Sequence, residues 1–399
     1  MKDLKDWRKL LKKYNLIPLA ILLSFNTMIA NEEYLSQTKQ DLLNYSYDKA
    51  IEDSTALKND WINPITYSYI YADTNTYDTT KSFISISQPI FRSGGIYSAI
   101  KYAKSVKNQT YVNIDVEKKE LIKQTITLLF QIKNINISIE KQKLLVLNST
   151  LDVQRKKEQV LNGILDTSFL DNAILAANVN QNSLIDLEYE KHTLINNLSV
   201  LSDKPYQELK LPQLKLIDNK EYLNNNLYIN QANDEINSSY WLKNMTISSY
   251  LPTVNFTADY TKYHDMDNNS ALDEETHNLG LNITIPLDIK FSNKIESSKI
   301  TYLQNKAALE DQKQQEQAIF QNSIAKIESL DKKILIAKND IELYDSLVTQ
   351  IQEQLNVGMK TQSDLDTIQN SQKIKILEIK SLDIEKQLEL LEVYSRMKI

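Results

Sequence analysis

From Ile96 to Asn162 the chain contains neither glycine nor proline, and a second such run extends from Leu287 to Val357. Turns draw on residues that reach positive φ or lock φ, so a stretch without them is most simply one continuous helix. Counted from Gly95, the first run predicts a helix of up to about 68 residues, roughly 100 Å long. Both runs carry heptads. In the second, Ile327, Ile334, Ile341, Val348 and Leu355 recur at sevens, interleaved with Leu330, Ala337, Tyr344 and Ile351. The first repeats the pattern at Ile132, Ile139, Val146, Val153 and Val160. Apolar side chains at these positions need a partner helix along the whole seam. The runs break at Gly163 and Gly358. In Val357-Gly358-Met359-Lys360-Thr361-Gln362-Ser363-Asp364-Leu365, glycine can end one helix in a left-handed cap and Thr361 or Ser363 can start the next. The expectation is two long helical hairpins with tips at Gly163 and Gly358.

Only 5 glycines and 7 prolines occur in 399 residues, which fits few turns and long elements. With no cysteine, disulfides, zinc thiolate sites, a thiol nucleophile and N-terminal lipidation are excluded. The net charge of −6 argues against nucleic acid as a partner. No G-x-x-x-x-G-K-[ST], H-E-x-x-H or Gly-rich phosphate loop is present, so neither an enzyme nor a cofactor is expected. His192 falls on a helix as a surface residue. His264, Asp265, Asp267, Asp273, Glu274, Glu275 and His277 crowd one loop. They read as a solvated external loop ahead of a divalent-ion site, because the spacing fits no compact loop of the EF-hand kind.

Lys2, Lys5, Arg8, Lys9, Lys12 and Lys13 precede an uncharged run from Tyr14 to Ala30. This is the pattern of a secretory signal over residues 1–30, with cleavage after Ala30, rather than of a membrane span. The remaining chain reads as two repeats, 31–210 and 211–399. Each holds a helix, a β-hairpin (64–91 and 252–287), a long helix, a tip and a return helix. In the hairpins Ile65, Tyr67, Tyr69 and Tyr71 alternate with Thr66, Ser68, Ile70 and Ala72, and Val254, Phe256, Ala258 and Tyr260 alternate with Asn255, Thr257, Asp259 and Thr261. Asp73 to Thr80 and Lys262 to His277 are expected as polar loops. Pro64 matches Pro252, Pro89 matches Pro286 and Gly163 matches Gly358 at nearly constant offsets, as an internal duplication requires.

Strands of about ten residues are long enough to cross a hydrocarbon layer. Four of them cannot close a water-filled barrel, and open edges in lipid are forbidden, so several copies must join. With apolar residues toward lipid, Asn255, Thr257, Asp259, Asn282, Thr284, Thr66, Ser68, Ser85 and Ser87 line a wet interior, and Tyr67, Tyr69, Tyr71, Tyr77 and Tyr260 can form aromatic girdles. A soluble sheet with one solvated face gives the same alternation; the signal sequence, strand length and rods favour the membrane.

Three short motifs in this order carry a resemblance. Gln88-Pro89-Ile90-Phe91 through Gly95 resembles the QPLF..G run of the TolC-like outer membrane efflux proteins. Leu251-Pro252-Thr253 resembles the LPT opening of their second hairpin, and Leu201-Ser202-Asp203-Lys204-Pro205-Tyr206-Gln207-Glu208-Leu209 their L-T-G-x-x-Y-x-E-L link. The resemblance implies an α+β membrane protein: a long antiparallel coiled-coil tunnel joined to a transmembrane β-barrel with four strands per subunit. It implies a homotrimer in the outer membrane, in contact with its lipid, with the tunnel extending into the periplasm. The partners it implies are a periplasmic adaptor (membrane fusion) protein and an inner-membrane pump or ABC exporter that supplies the energy.

The family's adaptor-contacting tips transfer onto Asn162, Gly163, Ile164, Val357, Gly358 and Met359. Its entrance constriction transfers onto Asp364. The second acidic position is Thr367, with Asp366 one residue earlier. Lys360 keeps the basic residue, whereas Phe169 replaces its family partner beside Ser168, leaving a Lys360–Ser168 hydrogen bond as the substitute latch. A ring of three Asp364 side chains at a narrow mouth would attract cations, although a carboxylate there also suits a helix N-terminus. A periplasmic coiled-coil adaptor and a secreted filament protein are the alternatives; glycine scarcity speaks against the first, the signal sequence and paired tips against the second.

Overall fold

The computed structural model describes residues 32–73, 78–266 and 274–398. The signal segment 1–30, Asn31, Tyr77, Asp267 and Asp273 lie outside the described residues. A 3-10 turn (Glu32–Tyr34) precedes helix α1 (Gln37–Asn59). Strands β1 (Thr66–Asp73) and β2 (Asp78–Phe91) are followed by α2 (Gly95–Leu161) and α3 (Thr167–Leu201). The plan then recurs: α4 (Asn219–Asn224), α5 (Leu227–Ser248), β3 (Thr253–Met266), β4 (Glu275–Thr284), α6 (Phe291–Asn356) and α7 (Gln362–Ser395). Helices α2 and α6, of 67 and 66 residues, are each about 100 Å long.

The strands form one antiparallel sheet in the order β1-β2-β3-β4. Pairing of β2 with β3 joins the two hairpins, with Ser85 opposite Asp259 and Ile86 opposite Ala258. Polar residues share one face: Thr66 Oγ1 and Ser85 Oγ lie 2.7 Å apart, and Asn255 pairs with Asn282. The other face carries Phe256 opposite Leu281 and Val254 opposite Ile283, and Leu279, Leu281 and Ile283 remain 68–73% exposed. Strands β1 and β4 are edges.

The hairpins reach further than their alternation indicates. Lys262 to His277 is expected as a loop, yet β3 continues to Met266 and β4 begins at Glu275. The Lys262–Glu275 ion pair at 2.7 Å and the bond from the Tyr263 N–H to the Glu274 carbonyl at 2.9 Å hold the extension together. Residues expected in the first loop are likewise strand as far as Asp73 and from Asp78. The strands have 8, 14, 14 and 10 residues rather than a uniform ten. Thr80 faces Asp265 but Lys81 faces Tyr263, so His264 is a bulged residue. Its Nε2 lies 2.6 Å from Ser82 Oγ.

The start of helix α1 at Gln37 is fixed by distant parts of the chain. The Ser36 N–H is taken by the Leu201 carbonyl at 2.7 Å, and the Gln37 N–H by Asp203 Oδ2 at 2.8 Å. A distant carboxylate thus supplies the cap. Helix α5 begins at Leu227, capped by Asn226, whose side-chain oxygen accepts from the Tyr228 and Ile229 N–H groups.

The main core lies where α1, α2, α3 and α7 meet at the level of the 202–218 connection. There Ile122, Ile126, Leu129, Phe130 and Ile132 of α2 pack with Leu377, Ile384, Leu390 and Leu391 of α7 and with Leu198 of α3. Each such side chain contributes about 2 kcal/mol on burial. The heptad seam of α6 is buried at Ile327, Leu330 and Ala337.

One fully buried carboxylate organises the chain end. Glu316 of α6 is 0% exposed and accepts from four donors: Tyr222 Oη (2.5 Å), Asn226 Nδ2 (2.8 Å), Gln312 Nε2 (2.8 Å) and Arg396 Nη1 (3.0 Å). Arg396 also donates to Glu392, which pairs with Lys123 at 2.6 Å. Burial raises the Glu392 pKa, but Lys123 and Arg396 outweigh it and hold the carboxyl below its usual range. The backbone of Arg396 accepts from the Leu227 N–H, and Lys398 donates to Asn225.

Lys119 is the opposite case. It is 8% exposed, its Nζ has no hydrogen-bond partner among the described residues, and burial brings its pKa down to about 8. Its folded pKa is below its unfolded one, so the unfolded chain binds the extra proton above pH 8, and stability should rise with pH through that window.

Replacing Arg396 with alanine strands the Glu316 charge and should lower stability by roughly 3 kcal/mol, read as a fall in the thermal midpoint of the detergent-purified protein. Tyr222→Phe, which removes one donor of four, should cost about 1 kcal/mol. Lys119→Met should instead raise the midpoint, by about 1 kcal/mol or more, and flatten its rise between pH 8 and 10.

Candidate functional site

The two helical hairpins end side by side, and their tips share one backbone design. Gly163 has φ +70° and Gly358 φ +77°. The N–H of Ile164 bonds to the Gln159 carbonyl at 2.8 Å, and that of Met359 to the Gln354 carbonyl at 2.8 Å, closing the last helical turn in both cases. A Cβ added at either glycine would meet nothing within 4 Å, so these positions require glycine for its φ alone. Around them Leu161, Ile164, Val357 and Met359 are 69–77% exposed.

The returning helices are capped differently. At α3, Asp166 accepts from the Ser168 N–H at 2.8 Å, which holds the Asp166 carboxyl below its ordinary pKa. At α7, Thr361 and Asp364 form a reciprocal capping box. Asp364 Oδ2 accepts from the Thr361 N–H at 3.1 Å and from Thr361 Oγ1 at 3.0 Å.

The other oxygen of Asp364 accepts from Arg155 Nη1 of α2 at 3.0 Å. Arg155 also donates to Asp152 at 2.8 Å, and Lys156 pairs with Asp152 at 3.0 Å. The Thr361 backbone bond holds the Asp364 pKa below the usual carboxylate range, with Lys360 and Arg155 assisting. Its pKa is depressed on folding, so its stabilisation is complete above the ordinary carboxylate pKa and is lost as pH falls through the folded value. The clasp is therefore intact at neutral pH.

Of the residues singled out in sequence, Asp364, Asp366 and Thr367 gather on the first turns of α7, Lys360 lies just before its N-cap, and Ser168 stands on the first turn of α3. No hydrogen bond joins Lys360 to Ser168 among the described residues, so that substitute latch is not formed within the chain. The Arg155–Asp364 pair connects the hairpins instead. Asp366 accepts from Gln362 at 2.7 Å. Thr367 faces its own helix and α2: its hydroxyl donates to the Ser363 carbonyl at 2.7 Å, and its carbonyl accepts from Asn148 at 3.5 Å.

Sequence reasoning missed Arg155 and Asp152, which lie one helical face behind the heptad residues; the acidic and basic run Asp152 to Lys157 shortly before the tip was the available signal. Further up, the α2–α7 seam carries Asn148–Asn370 at 2.8 Å, Asn134–Ser381 at 2.6 Å and Lys123–Glu392 at 2.6 Å. The contact between the hairpins is thus apolar at the main core and mainly polar from there to the tips.

Thr361→Val should lose about 1 kcal/mol of helix capping and raise amide hydrogen exchange over 361–367 without unfolding the core. A double-mutant cycle between Arg155→Ala and Asp364→Asn should show a coupling of no more than about 1 kcal/mol, since both groups are partly solvated.

Residues 220–374 match the family described as outer membrane efflux protein. No curated protein matches the chain in sequence. Among solved structures, the outer membrane protein VceC of Vibrio cholerae is 12% identical with a TM-score of 0.72, over 93% of this chain and 96% of that one. The CmeC outer membrane channel of Campylobacter jejuni is 11% identical with a TM-score of 0.71, over 92% and 84%. The MtrE outer membrane channel of Neisseria gonorrhoeae, in its open state, is 12% identical with a TM-score of 0.64, over 96% of each. Residues 220–374 therefore carry the outer membrane efflux protein domain, within a chain whose fold is that of these outer membrane channels.

Proposed function

We propose that three copies of this chain form an outer membrane channel whose helical tunnel extends into the periplasm, as the passive exit duct of an efflux or type I secretion system. The observation that carries this reading is a sheet with an exposed apolar face and two unpaired edges, continuous with hairpins about 100 Å long. Such a sheet is satisfied in a membrane only when further copies close it into a barrel. The chain then divides into a signal segment 1–30 and two repeats, 31–210 and 211–399.

The hairpin tips stand at the far end of the tunnel from the barrel. Their exposed Leu161, Ile164, Val357 and Met359 suit contact with the apolar surface of a periplasmic adaptor, which would connect the duct to an inner-membrane pump or ABC exporter. The channel needs no energy source of its own. At its mouth Asp364 contributes negative charge, and its bond to Arg155 couples that charge to the neighbouring hairpin. Breaking the pair would release both the hairpin and the carboxylate.

The protein should leave outer membranes only with detergent and migrate as a trimer; a monomer released by osmotic shock would sink the reading. In planar bilayers Asp364→Ala should weaken block of the trimer by divalent cations, and unchanged block would remove Asp364 from the entrance.

A further inference from the structure

Just below the sheet, aromatic rings and lysines cross three adjacent helices without interruption. The Tyr97 ring of α2 lies 5.7 Å from Trp241 of α5, Trp241 lies 5.0 Å from Tyr240, and Tyr240 lies 5.8 Å from Tyr302 of α6. Three ammonium groups sit on these rings: Lys101 at 5.3 Å from Tyr97, Lys243 at 4.6 Å from Tyr240 and 4.8 Å from Tyr302, and Lys306 at 5.7 Å from Tyr302. Among the described residues none of the three pairs with a carboxylate. Over 92–106, 234–250 and 287–306, eight basic side chains face four acidic ones, Asp234, Glu235, Asp288 and Glu296, in a chain that is net acidic. Asp60, just past the end of α1, lines a notch shared with residues of α2 and α5.

The belt lies on the apolar side of the sheet. Gly95 and Ala99 of α2, with Met245 and Ser249 of α5, line a notch together with Ser87, Thr253, Asn255 and Thr284 of the polar strand face. Tyr97 and Lys101 lie two residues on from Gly95 and Ala99, about 200° around the helix. Tyr240 is nine residues from Ser249 and Lys243 two from Met245, which again places them on opposite sides. The belt therefore continues the face that carries Phe256, Leu281 and Ile283. Lys101 and Lys243 lie within roughly 15 Å of the strands along their helices.

We propose that this belt binds the phosphate groups of anionic phospholipids in the periplasmic leaflet, with Lys101, Lys243 and Lys306 as the cations and the four rings as an interfacial platform. The proposal rests on the outer membrane reading above. Tyrosine and tryptophan settle at the boundary between hydrocarbon and water. Lysines held over their faces are already oriented, and their stems lie along apolar surface while the ammonium reaches the headgroups.

The test uses the full chain reconstituted in vesicles of phosphatidylcholine alone and of an equimolar mixture with phosphatidylglycerol. Native mass spectrometry then counts the phosphatidylglycerol retained per trimer. The triple variant Lys101→Gln, Lys243→Gln, Lys306→Gln should insert as well as the wild type but retain phosphatidylglycerol at least tenfold less tightly, whereas the triple Lys→Arg variant should retain it. Raising salt should weaken wild-type retention. Equal retention by the Gln variant overturns the belt while leaving the membrane reading intact. Failure of the wild type to insert in either vesicle overturns both.

Discussion

Strands β1 and β4 end the sheet with rows of N–H and C=O groups that have no partner within the subunit. In water such an edge is a liability; in hydrocarbon each unmatched group costs several kcal/mol. A curved sheet of four strands cannot meet itself, since about eight are needed to enclose even a side-chain-filled interior. For the membrane placement proposed above, assembly is therefore imposed by the backbone before any side chain is considered. The rest of the subunit is compatible with it. Both hairpins feed helices on the same side of the sheet, and α2 and α5 come close enough beneath it that a Cβ at Gly95 would stand 3.1 Å from that of Ser248. The helices thus leave the sheet as a tight layer directly beneath the strands.

Below that layer, two kinds of contact have different duties. Within each hairpin, apolar heptads run from the core toward the tips, and their many small contacts favour one register along the seam. Between the hairpins, the α2–α7 seam shares the main apolar core over Ile122–Ile132 and Leu377–Leu391 and below it carries discrete polar pairs, ending at Arg155 and Asp364. Apolar seams tolerate little separation, because every ångström of gap exposes surface along their length. Polar pairs in partial contact with water can exchange partners for solvent at small cost. Below the core, this division gives the subunit apolar arms with a polar joint between them. The buried Glu316 network anchors the upper end of that joint. It ties α6, the Asn225–Leu227 connection and the C-terminal residues into one node.

Much of this was legible in the residues. The absence of glycine and proline predicts α2 and α6 nearly to the residue, because nothing in either run competes with helix. The tips were legible for the same reason: Gly163 and Gly358 are the sole glycines in the lower helical body. Strand ends were less so. Lys262, Tyr263 and Glu275 look like loop residues in a one-dimensional pattern, and only the cross-strand ion pair and the ladder to β2 make them strand. The start of α1 depends on Asp203, more than a hundred residues away, which no local capping rule can find. At the tip, Asp364 and Thr361 could be read as a cap from spacing alone. The partner of Asp364 could not, since Arg155 is remote in sequence and lies outside the heptad positions that drew attention to α2. Glu316 resembles any surface glutamate of a polar helix; its burial is decided by Tyr222, Asn226 and Arg396, contributed by three other parts of the chain.

The tip glycines touch nothing, and the arms that lead to them repeat every seven residues. Whole heptads added to or removed from all four arms together would preserve the apolar seams, the polar seam and the caps, and would move the tips by about 10 Å per step. The barrel end and the tip chemistry are thus independent of the distance between them. Reach becomes a dimension that can be set separately, so a chain of this design can be fitted to the width of the gap it must cross without revising either of its working ends.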